Sequence, residues 1–197
     1  CQTDKKEEAK VEDASIEKDD EKLREVKTDV LVVGGGGAGL VAALKAAEDG
    51  ASVILIEKQG VYGGATSMSS GKIPAFGTKE QEVKNIKDSK EAMLTDIYRA
   101  GEYTQNYELL ERAVDQSNDV KEWMEQFDIK WNLETDMIYY GQSEYRIHVA
   151  EGGGSQLVNK LVEAVDTNPN IISLTQVTGL DLISEDDQVK GLIAEYN

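Results

Sequence analysis

The chain has 197 residues, of which 40% are hydrophobic, and a formal net charge of −17 at pH 7. Its length and composition are ordinary for a globular protein with a buried core, whereas the acidic balance argues against nucleic acid as a partner, because phosphate contact requires clustered Lys and Arg. The sequence also has no apolar run long enough to cross a membrane as a helix.

The only cysteine is residue 1, which excludes an internal disulfide and a Cys-x-x-Cys metal or redox pair. A cysteine at this position is typical of a bacterial lipoprotein, which carries lipid on that residue; an arbitrary start of the chain is the alternative. Residues 4–27 are mostly Lys, Glu, Asp and Ala, a composition that favours a flexible linker over a solvated helix. We therefore predict that 1–28 is an acidic, lysine-rich tether, lipidated at Cys1, at the extracytoplasmic face of the cell membrane.

The first predicted elements form a β-α-β unit. The wholly apolar stretch Val30–Val33 predicts a short strand, and the alanine-rich run Ala38–Asp49 predicts a helix that Gly50 ends. The apolar stretch Ser52–Glu57 predicts a second strand. Its composition is typical of a parallel strand covered on both faces, and the connection between two such strands is right-handed.

Four consecutive glycines lie between the first strand and the helix. Gly34, Gly36 and Gly39 fit G-x-G-x-x-G, in which the first glycine permits a tight turn, the second lets the backbone approach a pyrophosphate, and the third lets the helix pack on the strand. The helix N-terminus, beginning at Ala38, offers N–H groups to the same anion. The carboxylate of Glu57 can accept hydrogen bonds from a ribose and would repel a 2′-phosphate. The pattern predicts a dinucleotide site; a turn made only for packing is the alternative.

The residues from Glu57 onward read E-K-x-x-x-x-G-G-x-[ST], followed by small and hydroxyl side chains. This stretch resembles the cofactor loop of the fumarate reductase and succinate dehydrogenase flavoproteins, also called the FAD-dependent oxidoreductase 2 family. The resemblance implies FAD as cofactor, with the loop running along the ribityl chain to the isoalloxazine ring; a solvated Ser/Gly surface loop is the alternative. The residues implied to bind FAD in this stretch are Lys58, Gly64, Ala65, Thr66, Ser70, Gly71 and Lys72.

Two of these positions depart from the family. Members often carry Asn or Thr where this chain has Ala65, so a side-chain hydrogen bond to FAD is expected to be missing there. Lys72 stands where many members have a second glycine beside flavin N5. Its ammonium could stabilise anionic reduced flavin, but we expect it to point to solvent, which a lysine side chain reaches easily.

Three further segments resemble the family in chain order. Residues 107–129 match its helical x-E-L-v … S … v-x-W-L segment, and residues 145–158 match its R-x-H … G-G … L entry into a helix. Residues 175–193 resemble a strand pair in which the backbone N–H and C=O at the position of Val177 recognise the adenine. The resemblance predicts an α/β fold over 29–197: the N-terminal part of a Rossmann-like FAD-binding domain, with a parallel sheet, helices and a β-hairpin or meander. The sheet is expected to be incomplete at its C-terminal end, and the family's capping and catalytic segments have no counterpart.

The region 80–129 is predicted to be chiefly helical, and its apolar residues at helical spacing are assigned to the core. Trp123, Phe127 and Trp131 are interpreted as packing rather than flavin-stacking side chains. His148 is the only histidine; because its family segment lies away from the hydride and proton donors, we interpret it as structural. No catalytic residue and no metal site is predicted, because one histidine and one N-terminal cysteine cannot form a triad or a ligand cluster. The residues of the helical pattern are Ala92, Met93, Ile97, Tyr98, Leu109, Leu110, Ala113 and Val114.

The resemblance implies part of an exported flavoprotein oxidoreductase similar to fumarate reductases. Hydride would pass between flavin N5 and an activated C=C bond of a small unsaturated organic acid or a steroid-like substrate, with electrons from a membrane or partner carrier. One alternative is a non-catalytic FAD-binding fragment. Another is part of an enzyme similar to the ketosteroid dehydrogenases, whose loop has the same G-G-x-T-x-x-S form. A pyridine-nucleotide-binding domain fits the glycine pattern but leaves residues 63–71 unexplained.

Overall fold

The computed structural model describes residues 25–197. Cys1 and most of the predicted tether 1–28 lie outside the described residues, so the lipid anchor stays a prediction. No helix in the described part of the chain is long and apolar enough to span a membrane. The described residues form two compact units: one runs to Gly64 and resumes over Leu161–Asn197, and the other is Ala65–Lys160.

Residues 25–197 combine helices with a parallel sheet, which confirms the predicted α/β class. The elements in chain order are β1 (Val30–Val33), α1 (Gly37–Glu48), β2 (Val53–Glu57), α2 (Gly64–Ser67), β3 (Lys72–Pro74), α3 (Lys79–Val83), α4 (Lys90–Ala100), α5 (Tyr107–Asp115), α6 (Ser117–Glu125), β4 (Trp131–Leu133), β5 (Ile147–Ala150), α7 (Gly153–Thr167), β6 (Ile171–Thr175), β7 (Val177–Glu185) and β8 (Gln188–Tyr196).

The first unit is built on a parallel sheet with the strand order β1-β2-β6. Val30 pairs with Val53, and Val53 pairs in turn with Ile171. Because β2 is the central strand, it buries Val53, Leu55 and Ile56, as its apolar composition predicts. The predicted β-α-β unit is confirmed, with α1 beginning and ending one residue earlier than expected.

α1 lies against β1 and β2 through one apolar stripe. Its buried residues, Leu40, Ala43, Leu44 and Ala47, repeat at three- and four-residue intervals, the spacing that places side chains on one helix face. The approach is closest at the start of the helix. A Cβ added at Gly39 would lie 1.9 Å from the carbonyl oxygen of Gly34 and 3.1 Å from its carbonyl carbon. The third glycine of the pattern is therefore required for packing.

β7 and β8 form the predicted antiparallel pair, with Glu185 opposite Gln188. The two residues between them, Asp186 and Asp187, have φ angles of 49° and 59°. Two successive left-handed residues make a type I′ turn, whose twist matches that of the flanking strands. Aspartate tolerates this conformation better than most side chains do, so the sequence closes the hairpin without a glycine.

The second unit contains an antiparallel sheet that the sequence did not predict, with the strand order β3-β5-β4. Lys72 of β3 lies opposite Val149, and Trp131 of β4 lies opposite Ala150. β3 and β4 have only three residues each, which is too short for an alternating pattern to stand out. Their pairing depends on residues far apart in the chain.

α3 to α6 confirm the predicted helical region of the second unit. The assignment of Leu109 and Ala113 to the core is wrong, because both residues are exposed, Leu109 to 66%. Leu110 and Val114, one turn apart on α5, occupy the inward face, and Leu109 lies beside that face. The core cluster consists of Met93, Leu94 and Val114, with Phe76, Ile97 and Leu110 packed against it.

The aromatic side chains near the end of the helical region pack as predicted. Trp131 is buried in β4. Trp123 and Phe127 meet edge to face, with ring centroids 4.9 Å apart, a favourable geometry for an aromatic pair. Each contact lies within the second unit.

Arg146 is the largest fully buried side chain of the described residues. Its guanidinium donates two hydrogen bonds to Asp88, of 2.9 and 2.7 Å, and one of 2.6 Å to Asp96. Burial alone would raise the pKa of Asp96, but hydrogen bonds from Ser143 and Arg146 outweigh it and lower that pKa. Since α4 contains Asp96 and Arg146 directly precedes β5, the ion pairs join the helices to the sheet. A buried charge of this kind is tolerated only when fully paired.

His148 is fully buried on β5. Its Nδ1 lies 3.0 Å from the carbonyl oxygen of Arg146, and its Nε2 lies 2.9 Å from Oγ1 of Thr78, the N-cap of α3. Because a carbonyl oxygen can only accept, Nδ1 carries the proton and the Thr78 hydroxyl donates to Nε2. Burial lowers the pKa of His148, although Glu80 opposes the shift. The neutral ring links β5 to α3, which gives His148 a structural role.

We predict that Gly39→Ala destabilises the protein by about 1–3 kcal/mol, because the new methyl group would overlap the Gly34 carbonyl, a backbone atom that cannot move aside cheaply. Alanine is otherwise the better helix former, so a lower free energy of unfolding would be due to this overlap and not to helix propensity. Urea unfolding is the measurement. Gly60→Ala is the control, since its Cβ would meet only Gln176, at 4.0 Å. A Gly39→Ala protein as stable as this control would contradict the packing role.

We predict that stability falls as the pH drops below about 6.5 and that His148→Gln reduces this loss. The unfolded chain protonates His148 near its ordinary pKa of 6.5, whereas the folded protein protonates it only at lower pH, so the unfolded state binds more protons in this interval. The pKa values of Glu80 and Asp96 are lowered from 4.5 and 3.8, so their contributions are lost only in more acidic solution.

Urea unfolding on either side of pH 6.5 measures the effect of His148. Glutamine keeps one donor and one acceptor for the two partners of the ring but does not titrate. An equal loss of stability in both proteins would show that another group is responsible.

Candidate functional site

The turn after β1 begins at the edge of the parallel sheet. The N–H of Gly34 donates to the carbonyl of Ile56 on the neighbouring strand, at 2.8 Å. Gly34 has a φ of +101°, which favours glycine over any residue with a side chain. The backbone therefore leaves the sheet abruptly and reaches α1 within three residues.

Of Gly34, Gly35 and Gly36, only Gly36 is required by neither conformation nor packing. Its φ and ψ of −72° and 178° are open to any residue. A Cβ added there would meet only the carbonyl oxygen of Gly63, at 4.0 Å. The missing side chain leaves space directly in front of α1, and that space suits a ligand that lies against the backbone.

The N-terminus of α1 is prepared for an anion. No side chain caps the helix at Gly36, and its first turn has no acidic residue. The first N–H groups of a helix and its positive dipole end attract negative charge. Ala38, in that first turn, is exposed. A pyrophosphate therefore fits the chemistry and the open space of this turn.

Glu57 lies at the end of β2 with both carboxylate oxygens fixed. Oε2 accepts a hydrogen bond from the N–H of Gly35, and Oε1 accepts one from the N–H of Gln59, each at 2.8 Å. Each oxygen can accept a further bond, so the carboxylate can still bind ribose hydroxyls. Lys58 is exposed, and its carbonyl accepts a 2.7 Å bond from Asn197 Nδ2.

Gly35 and Tyr62, which lie near the glycine turn, were not predicted to have a role at the site. A Cβ on Gly35 would lie 2.2 Å from Cδ1 of Tyr62, so this glycine is needed for the tyrosine ring to pack. The Gly35 carbonyl also accepts a 2.8 Å bond from Gly63. Gly35 occupies a variable position of G-x-G-x-x-G, and the pattern gave no reason to single it out. Gly64, predicted to bind FAD, follows with a φ of +49°.

Val177 begins β7, directly beyond the end of β6. Since Thr175 pairs with Glu57, Val177 follows at the same carboxyl end of the parallel sheet. The N–H of Asn197 donates to the Gln176 carbonyl across the hairpin, at 2.8 Å. The alternation of an antiparallel ladder then implies that the N–H and C=O of Val177 face away from β8. That orientation suits the predicted backbone recognition of adenine.

The remaining predicted residues belong to the second unit. Ala65 and Ser70 are exposed, Thr66 is half-buried and Gly71 is buried. Gly71 has a φ of +66°, and a Cβ there would lie 2.6 Å from the backbone of Gly153. This glycine is required within the unit itself.

Ser69 organises the loop but was not predicted. Its hydroxyl donates to the Thr66 carbonyl at 2.8 Å and accepts from the Gly71 N–H at 3.1 Å. Its carbonyl accepts a 3.1 Å bond from Gly154. A serine among serines has no distinguishing sequence signal, so only the contacts identify this role.

Lys72 is exposed, as expected, but its ammonium is paired within the second unit. Its ammonium donates to Glu134 Oε2 at 2.8 Å and to the hydroxyl of Tyr139, and it lies 4.9 Å from the centre of the Tyr139 ring. The hydrogen bond to Glu134 raises the pKa of Lys72, and the same contact lowers the pKa of Glu134. The charge is therefore neutralised within the second unit, while contact with the flavin stays a prediction.

The first unit thus has the geometry of a protein that binds a dinucleotide, with the pyrophosphate at a helix N-terminus and a ribose at a strand-end carboxylate. The family described as FAD binding domain matches residues 29–197, and the chain belongs to it. The cofactor of this domain is FAD.

Similar proteins include fumarate reductases. The chain is 35% identical over 167 residues to an NADH:fumarate oxidoreductase of Klebsiella pneumoniae. This match covers 83% of this chain and 18% of that protein. It is 34% identical over 172 residues to a fumarate reductase (cytochrome) of Shewanella frigidimarina, covering 85% and 29%. The open conformation of a flavocytochrome c3 fumarate reductase matches with a TM-score of 0.77 and 31% identity, over 85% of this chain and 30% of that one. The chain thus spans less than a third of each.

We predict that Gly36→Ala weakens FAD binding at least about tenfold, or about 1.4 kcal/mol, without destabilising the protein in the absence of FAD. The methyl group fits the empty turn but occupies the space proposed for the pyrophosphate. Gly60→Ala is the matched control, because it adds the same group at an exposed position of the same unit. Flavin absorbance during titration measures affinity, and urea unfolding measures stability. Equal affinities of the two variants would place the pyrophosphate elsewhere.

Proposed function

We propose that the chain is the FAD-binding part of an oxidoreductase that acts on an activated C=C bond. The observation that carries the proposal is Gly36, whose absent side chain is explained by a bound pyrophosphate and by nothing in the protein. Bound FAD would supply hydride transfer at N5. The names of the relatives support the substrate class: besides the fumarate reductases, a urocanate reductase of Eggerthella lenta is 33% identical over 145 residues, or 73% of this chain. Fumarate and urocanate are both unsaturated carboxylic acids.

The chain's own residues hold and orient the cofactor. The N-terminus of α1 and the open backbone at Gly36 would bind the pyrophosphate, the fixed carboxylate of Glu57 would bind the ribose, and the backbone of Val177 would bind the adenine. The loop with Ala65, Thr66, Ser70 and Gly71 is proposed to accompany the flavin, as the family resemblance implies. Electron supply by a membrane or partner carrier, and anchoring through lipid on Cys1, are further proposals that rest on the sequence.

A second candidate is FAD binding without substrate chemistry. It is favoured because every site residue identified in this chain is assigned to the cofactor and none to a substrate. A steroid-like substrate is supported less: a 3-ketosteroid dehydrogenase of Rhodococcus jostii has a TM-score of 0.75 at 24% identity, a likeness of fold alone.

The test uses the full 197-residue chain loaded with excess FAD and freed of unbound cofactor. Retained, red-shifted flavin near one per chain is the expected result, and a colourless protein would overturn the proposed cofactor lobe. The retained flavin is then reduced without oxygen and mixed with fumarate or urocanate. Reoxidation by these acids, but not by saturated succinate, supports the oxidoreductase. Retained flavin that neither acid reoxidises would establish the cofactor lobe and assign any substrate chemistry to residues outside these 197.

A further inference from the structure

Three tyrosines surround a small cavity where α4 ends and α5 begins. The ring of Tyr98 lies 5.1 Å from that of Tyr103 and 5.4 Å from that of Tyr107, with interplanar angles of 84° and 77°. These rings, with Leu94 and Thr95, line a cavity of about 230 Å³. All five residues belong to the second unit. The Tyr98 ring is thus steeply inclined to each of the other two rings, and aromatic rings that line a cavity are an arrangement by which proteins bind alkylated ammonium groups.

The turn that positions Tyr103 is strained. Glu102 and Tyr103 have φ angles of 54° and 60°, a conformation that costs energy for a bulky residue. The N–H of Tyr103 donates to the carbonyl of Tyr98 at 2.9 Å, which fixes the two residues together. Yet the Tyr103 side chain is 63% exposed, so burial does little to offset the strain. A glycine would form the same turn at lower cost, and the chain instead places an aromatic ring at the mouth of the cavity.

The charge around the cavity favours a cation. Residues 90–115 include six acidic and three basic side chains. Glu102 and Glu108 are neighbours of Tyr103 and Tyr107 in the chain, and Glu91 precedes Thr95 by one turn on α4. The nearby Arg99 is paired with Asp96. The local field therefore attracts positive charge.

The lining selects among cations. None of the five residues that line the cavity carries a carboxylate, so a primary ammonium would give up water without gaining a charged acceptor for its N–H groups. A quaternary ammonium has no N–H group to satisfy, is weakly hydrated, and can place its methyl groups against the ring faces. The aromatic lining and the acidic surroundings therefore both favour the binding of a quaternary ammonium group.

We propose that Tyr98, Tyr103 and Tyr107 form a binding site for a quaternary ammonium group, such as the trimethylammonium head of a choline-like compound. The site is separate from the residues assigned to FAD and does not depend on the proposed function. Flavin absorbance therefore reports on one proposal and the tyrosine resonances report on the other.

The test is an NMR titration of the full chain without FAD, at constant ionic strength set with sodium chloride. Choline is compared with the neutral alcohol in which carbon replaces its nitrogen, which has the same shape without the charge. We expect saturable shifts of the three tyrosines, with choline bound about fivefold more tightly than the alcohol. Equal affinity would overturn the proposal in favour of an apolar crevice. Shifts with choline that do not saturate would also overturn it.

Variants locate the site. Tyr103→Leu keeps apolar bulk but removes the ring face, and we expect it to weaken choline binding about fivefold. Tyr140→Leu is the matched control, because Tyr140 is 96% exposed and lies outside the cavity. We expect this variant to bind choline as tightly as the unaltered chain does. Equal weakening in both variants would contradict the assignment. If Tyr103→Leu fails to fold, the comparison of choline with the alcohol on the unaltered chain decides.

Discussion

The close approach of α1 to the carbonyl of Gly34 is the constraint on which the first unit depends. Only a residue without a side chain fits at position 39, where a Cβ would lie 1.9 Å from that oxygen. The helix can therefore begin directly beyond the end of β1, at the same sheet edge as Glu57. The open backbone at Gly36 and the uncapped helix N-terminus lie at this start, and the Gly35 N–H holds the Glu57 carboxylate beside them. The absent methyl group at position 39 thus helps to set the geometry of the proposed cofactor site.

The second unit contains a buried charge cluster in addition to the close backbone contact at Gly71. Arg146 is fully buried between Asp88 and Asp96, and removing its guanidinium would leave the buried Asp88 carboxylate without a charged partner. His148, two residues later, adds a neutral bridge to the N-cap of α3. The strand that contains His148 is thereby tied to the helices around it.

Local patterns were sufficient for much of the fold. Val30–Val33, α1 and β2 were predicted because two short apolar runs flank an alanine-rich run and the glycines between them mark the turns. Leu109 was misassigned because a helical pattern with several adjacent apolar residues does not say which of them faces inward. The sheet of β3, β5 and β4 was missed because its strands are short and their partners are distant in sequence, as Trp131 and Ala150 are. Such pairs carry no local signal.

The sequence by itself determined the family, the cofactor and the glycine turn, since these depend on residues within one β-α-β unit and on ordered motifs along the chain. The tertiary structure decided what each glycine does: Gly39 is crowded by backbone, whereas Gly36 borders open space. It also decided the state of Lys72, whose ammonium is bound by Glu134 and Tyr139, more than sixty residues away. The spacing of residues along the chain predicts local structure. An ion pair between residues distant in sequence forms only when the chain folds and brings them together.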